Sequence, residues 1–217
     1  MTRTPHILLT GFDPFGGETV NPSWEAVRAL HGCRLGGHRV VALQLPTEFT
    51  ASLKALRRAL RELRPAIVLG VGQAGGRSRL SLERVAINVN DARIPDNAGA
   101  QPVDEPVVAG GPAAYFSTLP IKAMLAALRE EGLPAEISNT AGTYVCNHIA
   151  YAMAHYTARQ RGVRTGFLHI PFLPDQAVSH AHAPSMALED VRRGLMVALR
   201  EAVRLRADVK LAAGAIS

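Results

Sequence analysis

The 217-residue sequence predicts an α/β protein, a mainly parallel β-sheet covered by helices on both faces. Three observations predict this class. Short apolar runs of strand length alternate along the chain with longer segments of helical periodicity. Hydrophobic residues make up 47% of the chain, as in a folded globular protein. The length suits one α/β domain, or at most two small ones.

The first half of the chain predicts two strand–helix units and two further strands. Asn21 is the expected N-cap of the first helix, and Pro22 suits its first position because the fixed φ of proline matches a helix. Thr47 is the expected cap of the second helix, which Pro65 ends. The predicted strands are 6–12, 38–45, 66–71 and 80–90, and the predicted helices are 22–30 and 48–63.

The second half resumes the alternation after a long loop. Residues 91–112 are rich in Gly, Pro and Asp, and loops of this length inside a compact domain are often functional. Ser185 is the expected cap of the last helix. The predicted helices are 119–131, 143–160 and 186–206, and the predicted strands are 135–138 and 166–172. Such sheets bind ligands beyond the carboxyl ends of their strands, where a site is therefore expected.

Membrane and secreted proteins are not the expected classes. No apolar run approaches the ~18 residues that a membrane helix needs, and the first residues lack the pattern of a signal peptide. Cys33 and Cys146 are too few for a disulfide framework or a four-cysteine zinc site, and both are expected to be free thiols. These features predict a cytoplasmic protein.

The formal net charge of +6 raises the question of nucleic-acid binding. Part of this charge recurs at helical spacing opposite a stripe of leucines, which indicates the solvent face of an amphipathic helix. The residues of this basic face are Lys54, Arg57, Arg58 and Arg61. No zinc-finger, helix-turn-helix or RNA-binding aromatic motif accompanies them, so a solvated face is the better interpretation.

Cys146 is the first candidate for chemistry. It lies in SNTAGTYVCNH, where a predicted strand ends near Ser138 and a predicted helix begins at Thr143. The unpaired N–H groups and positive dipole end of a helix start favour a thiolate, and the same groups could hold an oxyanion. The alternative is a cysteine buried between helix and sheet, and position alone leaves both open.

A histidine at the end of the next strand is the expected partner, because a thiol nucleophile needs a base. His169, in GFLHIPF, is expected to open at the same sheet edge as Cys146. His148 lies about 200° around the helix from the cysteine and points away from it. His180 and His182, in SHAHAP, could chelate a metal but lack a third ligand nearby.

A carboxylate in SLERVAINVND is the expected third group. Alternation places Glu83 on an apolar face, where a carboxylate costs stability unless it is paired. A nearby imidazolium would pair with it and be oriented by it. The alternative for Glu83 is an exposed strand end. The other residues on the predicted face are Val85, Ile87 and Val89, and the rival carboxylates are Asp91, Asp96 and Asp175.

Two glycine-rich turns follow predicted strands. GFDPFGG (11–17) could cradle a phosphate, but it lacks the lysine of a P-loop and the spacing of a dinucleotide fingerprint. Its aromatic residues, Phe12 and Phe15, could instead wall a small apolar pocket. VGQAGGR (71–77) is the second turn of this kind.

Five segments together resemble one family, pyroglutamyl peptidase type I, the pyrrolidone-carboxylate peptidases. They cover most of the chain in order, which makes the resemblance far more specific than a single motif. The segments are LLTGFDPFGGETVNPSWEAV (8–27), VGQAGGRSRLSLERVAINVNDARIPDN (71–97), AAYFSTLPIKAM (113–124), SNTAGTYVCNHIAY (138–151) and HIPFLPDQ (169–176).

The resemblance implies a single domain over 1–217 with a three-layer α/β/α fold and a twisted, mainly parallel mixed sheet. It implies a cytoplasmic cysteine peptidase, typically a homotetramer, that needs no metal and no cofactor. The implied reaction removes an N-terminal pyroglutamyl (5-oxoproline) residue from peptides through a thioester. The implied partners are therefore such peptides, and neither nucleic acid nor a membrane.

The resemblance also implies roles for individual residues. Cys146 matches the nucleophile, His169 the acid–base group and Glu83 the third member of a triad. Tyr144 replaces a phenylalanine that is frequent in relatives, which adds a hydroxyl near the pocket. Cys33 receives no role. The residues that match the substrate pocket are Phe12, Phe15, Gln73, Arg93, Tyr144 and Val145.

Two other functions are the alternatives to a peptidase. A nucleoside phosphorylase-like enzyme would hold phosphate with the GFDPFGG turn and would be indifferent to thiol alkylation. A basic ligand- or RNA-binding module would show salt-sensitive binding and no turnover.

Overall fold

The computed structural model describes residues 4–214 and shows a seven-stranded sheet between two layers of helices. In chain order the elements are β1 (His6–Phe12), α1 (Pro22–Arg28), β2 (Arg34–Leu35), β3 (His38–Leu45), α2 (Phe49–Leu63), β4 (Ile67–Gln73), β5 (Leu80–Glu83), β6 (Val85–Ile87), β7 (Ala114–Phe116), α3 (Ile121–Glu130), β8 (Ala135–Ser138), α4 (Val145–Thr157), β9 (Arg164–Ile170), α5 (Pro174–Ala177) and α6 (Leu188–Arg204).

The strand order of the sheet is β2-β3-β1-β4-β9-β5-β8. The four neighbouring strands β3, β1, β4 and β9 run parallel to one another, and β5 and β8 run parallel to each other. The direction reverses between β9 and β5, and again at the short edge strand β2. The predicted α/β class with a mainly parallel mixed sheet is therefore confirmed.

The core has two parts, one on each face of the sheet. Helices α1, α3 and α6 cover one face, and α2 and α4 cover the other. Side chains of β1 alternate between them, so that Ile7 and Leu9 join the first cluster and Leu8 joins the second. Burial on both faces explains why this strand is a continuous apolar run. Among residues 4–214, no helix combines the length and apolar character that crossing a membrane requires.

Several predicted boundaries agree with the structure to the residue, namely those of β1, β3 and β8. The predicted cap of α1 is also confirmed. The Asn21 side chain accepts a hydrogen bond from the Ser23 amide at 3.0 Å, and Pro22 occupies the first helical position. Residues 88–113 contain neither helix nor strand, apart from one isolated bridge between Asn90 and Glu105, as the predicted long loop requires.

The predicted cap of α2 is wrong. The Thr47 hydroxyl donates to the Asp13 carbonyl at 3.0 Å, so it is not available to the helix. The first amide of α2, that of Phe49, instead donates to Asp96 Oδ2 at 2.8 Å. Asp96 lies 47 residues away in the long loop. A cap supplied from so distant a segment leaves no local sequence signal, and it fixes the loop against the helix start.

The predicted cap of α6 is also wrong. The helix begins at Leu188, and its N-cap, Ala187, has no side chain that could accept a hydrogen bond. Ser185 lies two residues earlier and forms a β-bridge with Phe172. The serine therefore belongs to the loop that follows β9, and the helix starts without a side-chain cap.

The predicted strand over 80–90 divides at Arg84. The Arg84 amide donates to the Ser138 carbonyl, and its carbonyl accepts from the Ser117 amide. The chain then leaves the main sheet, and β6 pairs antiparallel with β7 in a separate two-stranded sheet. The apolar face expected to run from Glu83 to Val89 is therefore interrupted. Alternation reveals which side chains share a strand face but not which strand is the partner.

Candidate active site

Cys146 is the second residue of α4, which begins at Val145 with Tyr144 as its N-cap residue. The amides of a first helical turn lack partners within the helix, so they are free to bind a negatively charged group. The cysteine borders a cavity of about 410 Å³ and keeps partial solvent exposure. It is a free thiol, as is Cys33. The sulfur can therefore meet a ligand in the cavity.

The chain reaches Cys146 by a route that the sequence did not predict. Because β8 is parallel to β5 and β5 is antiparallel to β9, Ser138 ends level with Phe167 rather than at the carboxyl end of β9. Residues 139–144 then bring the chain back toward that end. A Cβ built on Gly72 would lie 2.6 Å from the Cys146 sulfur, and Gly72 is the β-partner of His169. The prediction of a shared strand edge is wrong, yet both side chains border the same cavity.

The turn before α4 is held by its own hydrogen bonds. The Ser138 hydroxyl donates to the Thr140 carbonyl at 3.0 Å, and the Gly142 amide donates to the Thr140 hydroxyl at 3.0 Å. Gly142 has a φ of +78°, a left-handed conformation that favours glycine. The Thr143 hydroxyl donates to the Asp91 carbonyl at 2.7 Å. The start of α4 is thereby fixed relative to the long loop.

His169 and Glu83 form a buried pair. His169 Nδ1 lies 2.7 Å from Glu83 Oε1, and the side chains are 4% and 2% exposed. When Nδ1–H donates to the carboxylate, a neutral ring carries its lone pair on Nε2. Glu83 itself does not line the cavity and lies behind the imidazole. The rival carboxylates do not line the cavity either, and they are Asp91, Asp96 and Asp175.

Burial determines the resting protonation of Cys146 and His169. Burial raises the pKa of the Cys146 thiol to about 12. The Glu83 charge also raises the pKa of this thiol, and the Arg77 charge lowers it. Burial lowers the pKa of His169, against the hydrogen bond and charge of Glu83, which raise it. A thiol with a pKa this high is protonated at neutral pH, so the thiolate expected from the helix start is not the resting form. Thiol and imidazole rest neutral.

The residues matched to the substrate pocket border the same cavity, and they are Phe12, Phe15, Gln73, Arg93, Tyr144 and Val145. Phe12 ends β1, is only 2% exposed, and its ring centroid lies 6.4 Å from that of Phe167. Phe15 is half-buried in the following loop, and its ring centroid lies 6.3 Å from that of Tyr144. The cavity therefore has an aromatic wall.

The Tyr144 hydroxyl is engaged by the long loop. It donates to the Pro95 carbonyl at 3.1 Å. Burial raises the pKa of Tyr144 to about 12, and the charge of Asp96 acts in the same direction, so the hydroxyl stays protonated at neutral pH. The ring also meets Phe49 edge to face, with centroids 5.5 Å apart. The additional hydroxyl thus ties the pocket wall to the loop.

Two residues beside the site were missed from the sequence. Arg77 Nη1 lies 2.6 Å from Glu83 Oε1, and the arginine also borders the cavity. It closes the VGQAGGR turn, whose sequence pattern stands out for its glycines. Asn147 is fully buried beside the cysteine, accepts from the Ile87 amide at 3.0 Å and donates to the Ile87 carbonyl at 2.9 Å. Its available signal was an amide side chain directly after the cysteine, at the start of a largely apolar helix.

His180, one of the two histidines considered for a metal site, is bound to a carboxylate and an aromatic ring. His180 Nε2 lies 2.6 Å from Glu18 Oε1, and its ring stacks on Phe172 with centroids 4.5 Å apart. Glu18 is also bound by Gln176, whose side chain reaches Gln73 at 3.3 Å. His180 therefore helps to tie the loop of Phe15 to the cavity wall. Within residues 4–214, no cluster of three or more His, Cys, Asp or Glu side chains could hold a metal ion.

A wider surface groove of about 570 Å³ lies between α2 and α4. It is lined by Arg57, Leu60, Arg61, Arg64, Tyr156, Gln160 and Val163. The Arg57 guanidinium lies over the Tyr156 ring at 4.9 Å from its centroid. Among residues 4–214, no cysteine, histidine or carboxylate borders this groove, whereas the cavity at Cys146 holds both a thiol and an imidazole.

Comparison with known proteins agrees with this site. A family model described as pyroglutamyl peptidase matches residues 5–205. The chain is 57% identical over 209 residues to the pyrrolidone-carboxylate peptidase of Klebsiella pneumoniae (strain 342), covering 96% of this chain and 98% of that protein. It is 58% identical over 208 residues to that of Cupriavidus taiwanensis, covering 95% and 96%.

Solved structures give the same result. The pyroglutamyl peptidase I of Bacillus amyloliquefaciens superposes with a TM-score of 0.93 at 48% identity, covering 97% of this chain and 100% of that one. A mutant pyrrolidone carboxyl peptidase of Pyrococcus furiosus superposes with a TM-score of 0.89 at 42% identity, covering 92% and 98%. The chain therefore belongs to the pyroglutamyl peptidase family of cysteine peptidases.

Proposed function

We propose that Cys146, His169 and Glu83 carry out the reaction of this chain, which as a pyroglutamyl peptidase removes N-terminal pyroglutamate from peptides. One observation supports these roles above the others. The thiol and the imidazole border one cavity, and the carboxylate lies 2.7 Å from Nδ1 of the imidazole. This arrangement supports roles as nucleophile, base and orienting group, because a triad needs Nε2 left for the nucleophile.

The first step starts from a neutral Cys146 thiol and a neutral His169 imidazole. As the sulfur attacks the carbonyl carbon that joins pyroglutamate to the next residue, His169 Nε2 takes the thiol proton. The imidazolium forms beside the Glu83 carboxylate, which stabilises it. Because the proton stays within the pair, no isolated charge has to be created in the buried site. The amides at the start of α4 bind the developing oxyanion.

The second half of the reaction returns the site to its starting state. His169 gives its proton to the leaving amine, the C–N bond breaks, and pyroglutamate remains on Cys146 as a thioester. His169 then takes a proton from a water molecule that attacks the thioester. As the second intermediate collapses, the C–S bond breaks and His169 returns this proton to the sulfur, which releases pyroglutamic acid and restores the Cys146 thiol.

The cavity suits the chemistry of this substrate. Pyroglutamate is a neutral lactam ring with one hydrogen-bond donor and one acceptor, and it carries no ammonium group. A cavity of about 410 Å³ with Phe12, Phe15 and Val145 in its wall offers apolar surface for the ring. Gln73 at the rim offers a polar partner. Proline lacks the lactam carbonyl, would leave that partner unpaired, and should be rejected strongly.

The phosphorylase alternative is not supported. The matching family model is that of a peptidase, and the GFDPFGG turn is engaged with its own neighbours. Asp13 Oδ1 accepts from the Thr47 amide at 2.6 Å, and the Pro14 carbonyl accepts from the Asn97 side chain at 2.8 Å. These contacts tie the turn to α2 and to the long loop instead of leaving it open as a phosphate cradle.

The experiment uses pyroglutamyl-4-nitroanilide, with Cys33→Ser as the control for Cys146→Ser. We expect wild type and Cys33→Ser to hydrolyse the anilide without added phosphate, and iodoacetamide to inactivate both unless a pyroglutamyl analogue protects them. We expect Cys146→Ser to fold and to be inactive. Near-normal turnover by Cys146→Ser would rule out the nucleophile assignment, and phosphate-dependent activity would favour the phosphorylase.

The assembly and location of the protein complete the proposal. We propose a single domain over 1–217 that acts in the cytoplasm as a homotetramer, as the family resemblance implies. Light scattering on the purified protein at micromolar concentration tests the tetramer, and a monomer at that concentration would contradict it. Fractionation of cells that produce the protein tests its location.

A further inference from the structure

Glu83 is a buried carboxylate with uneven surroundings. Its Oε1 receives hydrogen bonds from two sides, from His169 Nδ1 at 2.7 Å and from Arg77 Nη1 at 2.6 Å. Its Oε2 is buried without a hydrogen-bond partner among residues 4–214. A carboxylate that is 2% exposed is unfavourable unless a cation compensates its charge. Because His169 rests neutral, Arg77 is the cation that lies against the Glu83 carboxylate.

Arg77 makes a second contact that has no part in the charge balance. Its Nη2 donates to the Thr140 carbonyl at 3.0 Å. Thr140 lies in the turn that leads to Cys146, and the same residue receives the hydrogen bonds of Ser138 and Gly142. One planar guanidinium therefore bridges the carboxylate on β5 and the turn before α4. The β5–β8 pairing brings these two segments together as far as Ser138, and Arg77 extends the link to Thr140 in the turn beyond the strand.

We infer that Arg77 is a positioning residue for the hydrolysis, because it holds Glu83 against His169 and fixes the turn that carries Cys146. The inference rests on the proposed function and adds a fourth residue to its machinery. Arg77 does not exchange a proton or touch the scissile bond. Its side chain is 27% exposed and borders the cavity, so it can be replaced without opening the hydrophobic core.

The charge of Arg77 should also appear in the pH profile. The charged or titratable groups around His169 are Glu83 from β5, Arg77 from the turn after β4 and Cys146 from α4, with Arg93 and Tyr144 on the other side of the cavity. The positive charge of Arg77 lowers the pKa of His169 and that of Cys146. Removal of the guanidinium should therefore raise the pKa of the imidazole and move the acid limb of kcat/KM to higher pH.

The test compares wild type, Arg77→Ala, Arg77→Lys and Arg79→Ala, assayed with pyroglutamyl-4-nitroanilide over a pH series. Arg79 is the matched control, because it is an arginine two residues away and its side chain is 54% exposed. Its ion pair with Glu136 is long, at 4.0 Å. We expect Arg77→Ala to lose about tenfold or more in kcat/KM and to move its acid limb upward. Arg77→Lys should recover part of the rate and restore the acid limb, because it keeps the charge but not the two-pronged contact. Arg79→Ala should match wild type.

The outcomes separate the inference from the function it rests on. Full activity of Arg77→Ala beside an active wild type would overturn the role of Arg77 alone. A loss accompanied by a lower melting temperature, an unmoved acid limb and no recovery in Arg77→Lys would show a merely structural residue, and would overturn it too. An inactive wild type would instead overturn the proposed function.

Discussion

A Cβ atom on Gly72 would lie 2.6 Å from the sulfur of Cys146, closer than two such atoms can stand. Gly72 lies in β4 and pairs with His169 across the sheet. The glycine therefore provides the space in which the sulfur sits beside the strand that carries the imidazole. The same Cβ would approach the Phe167 ring to 3.0 Å, so the sulfur cannot be accommodated by a small shift of the strand alone.

Gly72→Ala is expected to displace the sulfur and to lower kcat/KM by about 100-fold, since misplacement by ~1 Å can cost that much. The control is Gly194→Ala in α6, whose Cβ would overlap Leu80 at 2.4 Å far from the cavity. Both variants should lose stability, but only Gly72→Ala should have a lower activity per folded molecule. Equal specific activities of the two folded variants would contradict the packing argument.

His169→Ala and Glu83→Gln should differ in severity. Loss of the imidazole removes the base that borders the cavity together with the thiol, and we expect kcat to fall by about 10³-fold or more. Glutamine can still accept from Nδ1 but cannot stabilise the imidazolium as a charge, so we expect a smaller loss. Single-turnover rates with pyroglutamyl-4-nitroanilide compare the two. A loss in Glu83→Gln equal to or larger than that in His169→Ala would mean that the carboxylate does more than orient and stabilise.

Tyr144→Phe should affect stability more than catalysis. It removes the hydrogen bond to the Pro95 carbonyl but leaves the ring contacts with Phe15 and Phe49. We expect the free energy of unfolding to fall by about 1 kcal/mol, with kcat/KM within about threefold of wild type. Denaturant unfolding and steady-state kinetics on the same preparation check both. A loss of activity at unchanged stability would show that the hydroxyl acts on the substrate.

The pH dependence of stability should report on His148, a residue of α4 outside the cavity. Its Nδ1 bonds to the Asn90 side chain at 3.0 Å, and burial lowers its pKa to about 4 from the ordinary value of 6.5. The unfolded chain therefore binds a proton at a higher pH than the folded chain does. Stability is unaffected above pH 6.5 and is lost as the pH falls from 6.5 to about 4.

The size of this effect follows from the lowered pKa of His148. Such a difference between folded and unfolded chains corresponds to about 3 kcal/mol at the acid end. We expect His148→Gln to show a correspondingly shallower fall in the free energy of unfolding between pH 7 and pH 4. Parallel curves for wild type and variant would contradict a buried neutral histidine.

Chelation should leave the activity unchanged. The Glu18 carboxylate and the Phe172 ring engage His180, the histidine that was considered with His182 as a metal ligand. We expect dialysis against EDTA to preserve kcat/KM for the anilide. Loss of activity that zinc restores would revive the metal hypothesis. His180→Ala serves as the control, since it would loosen the loop of Phe15 without creating a metal requirement.

The element pattern was predictable because it rests on local physics. The central strands β1 and β4 are buried on both faces, and Asn21 and Pro22 form a helix start by contacts within three residues. The caps of α2 and α6 were not predictable in the same way. One is supplied by Asp96 from the long loop, and the other has no side-chain cap at all.

The sequence by itself determined the fold class, the family and six of the side chains matched to the pocket, because motifs as long as SNTAGTYVCNH keep both chemistry and local conformation together. Only the tertiary structure decided how these residues meet. The reversal between β9 and β5 turns β8 away from the expected edge, and six residues of turn bring Cys146 back over Gly72. Only the folded chain shows that Arg77 holds Glu83, and that burial leaves the thiol neutral at rest. Strand direction, burial and charge pairing depend on partners far away in the chain, which a local pattern does not encode.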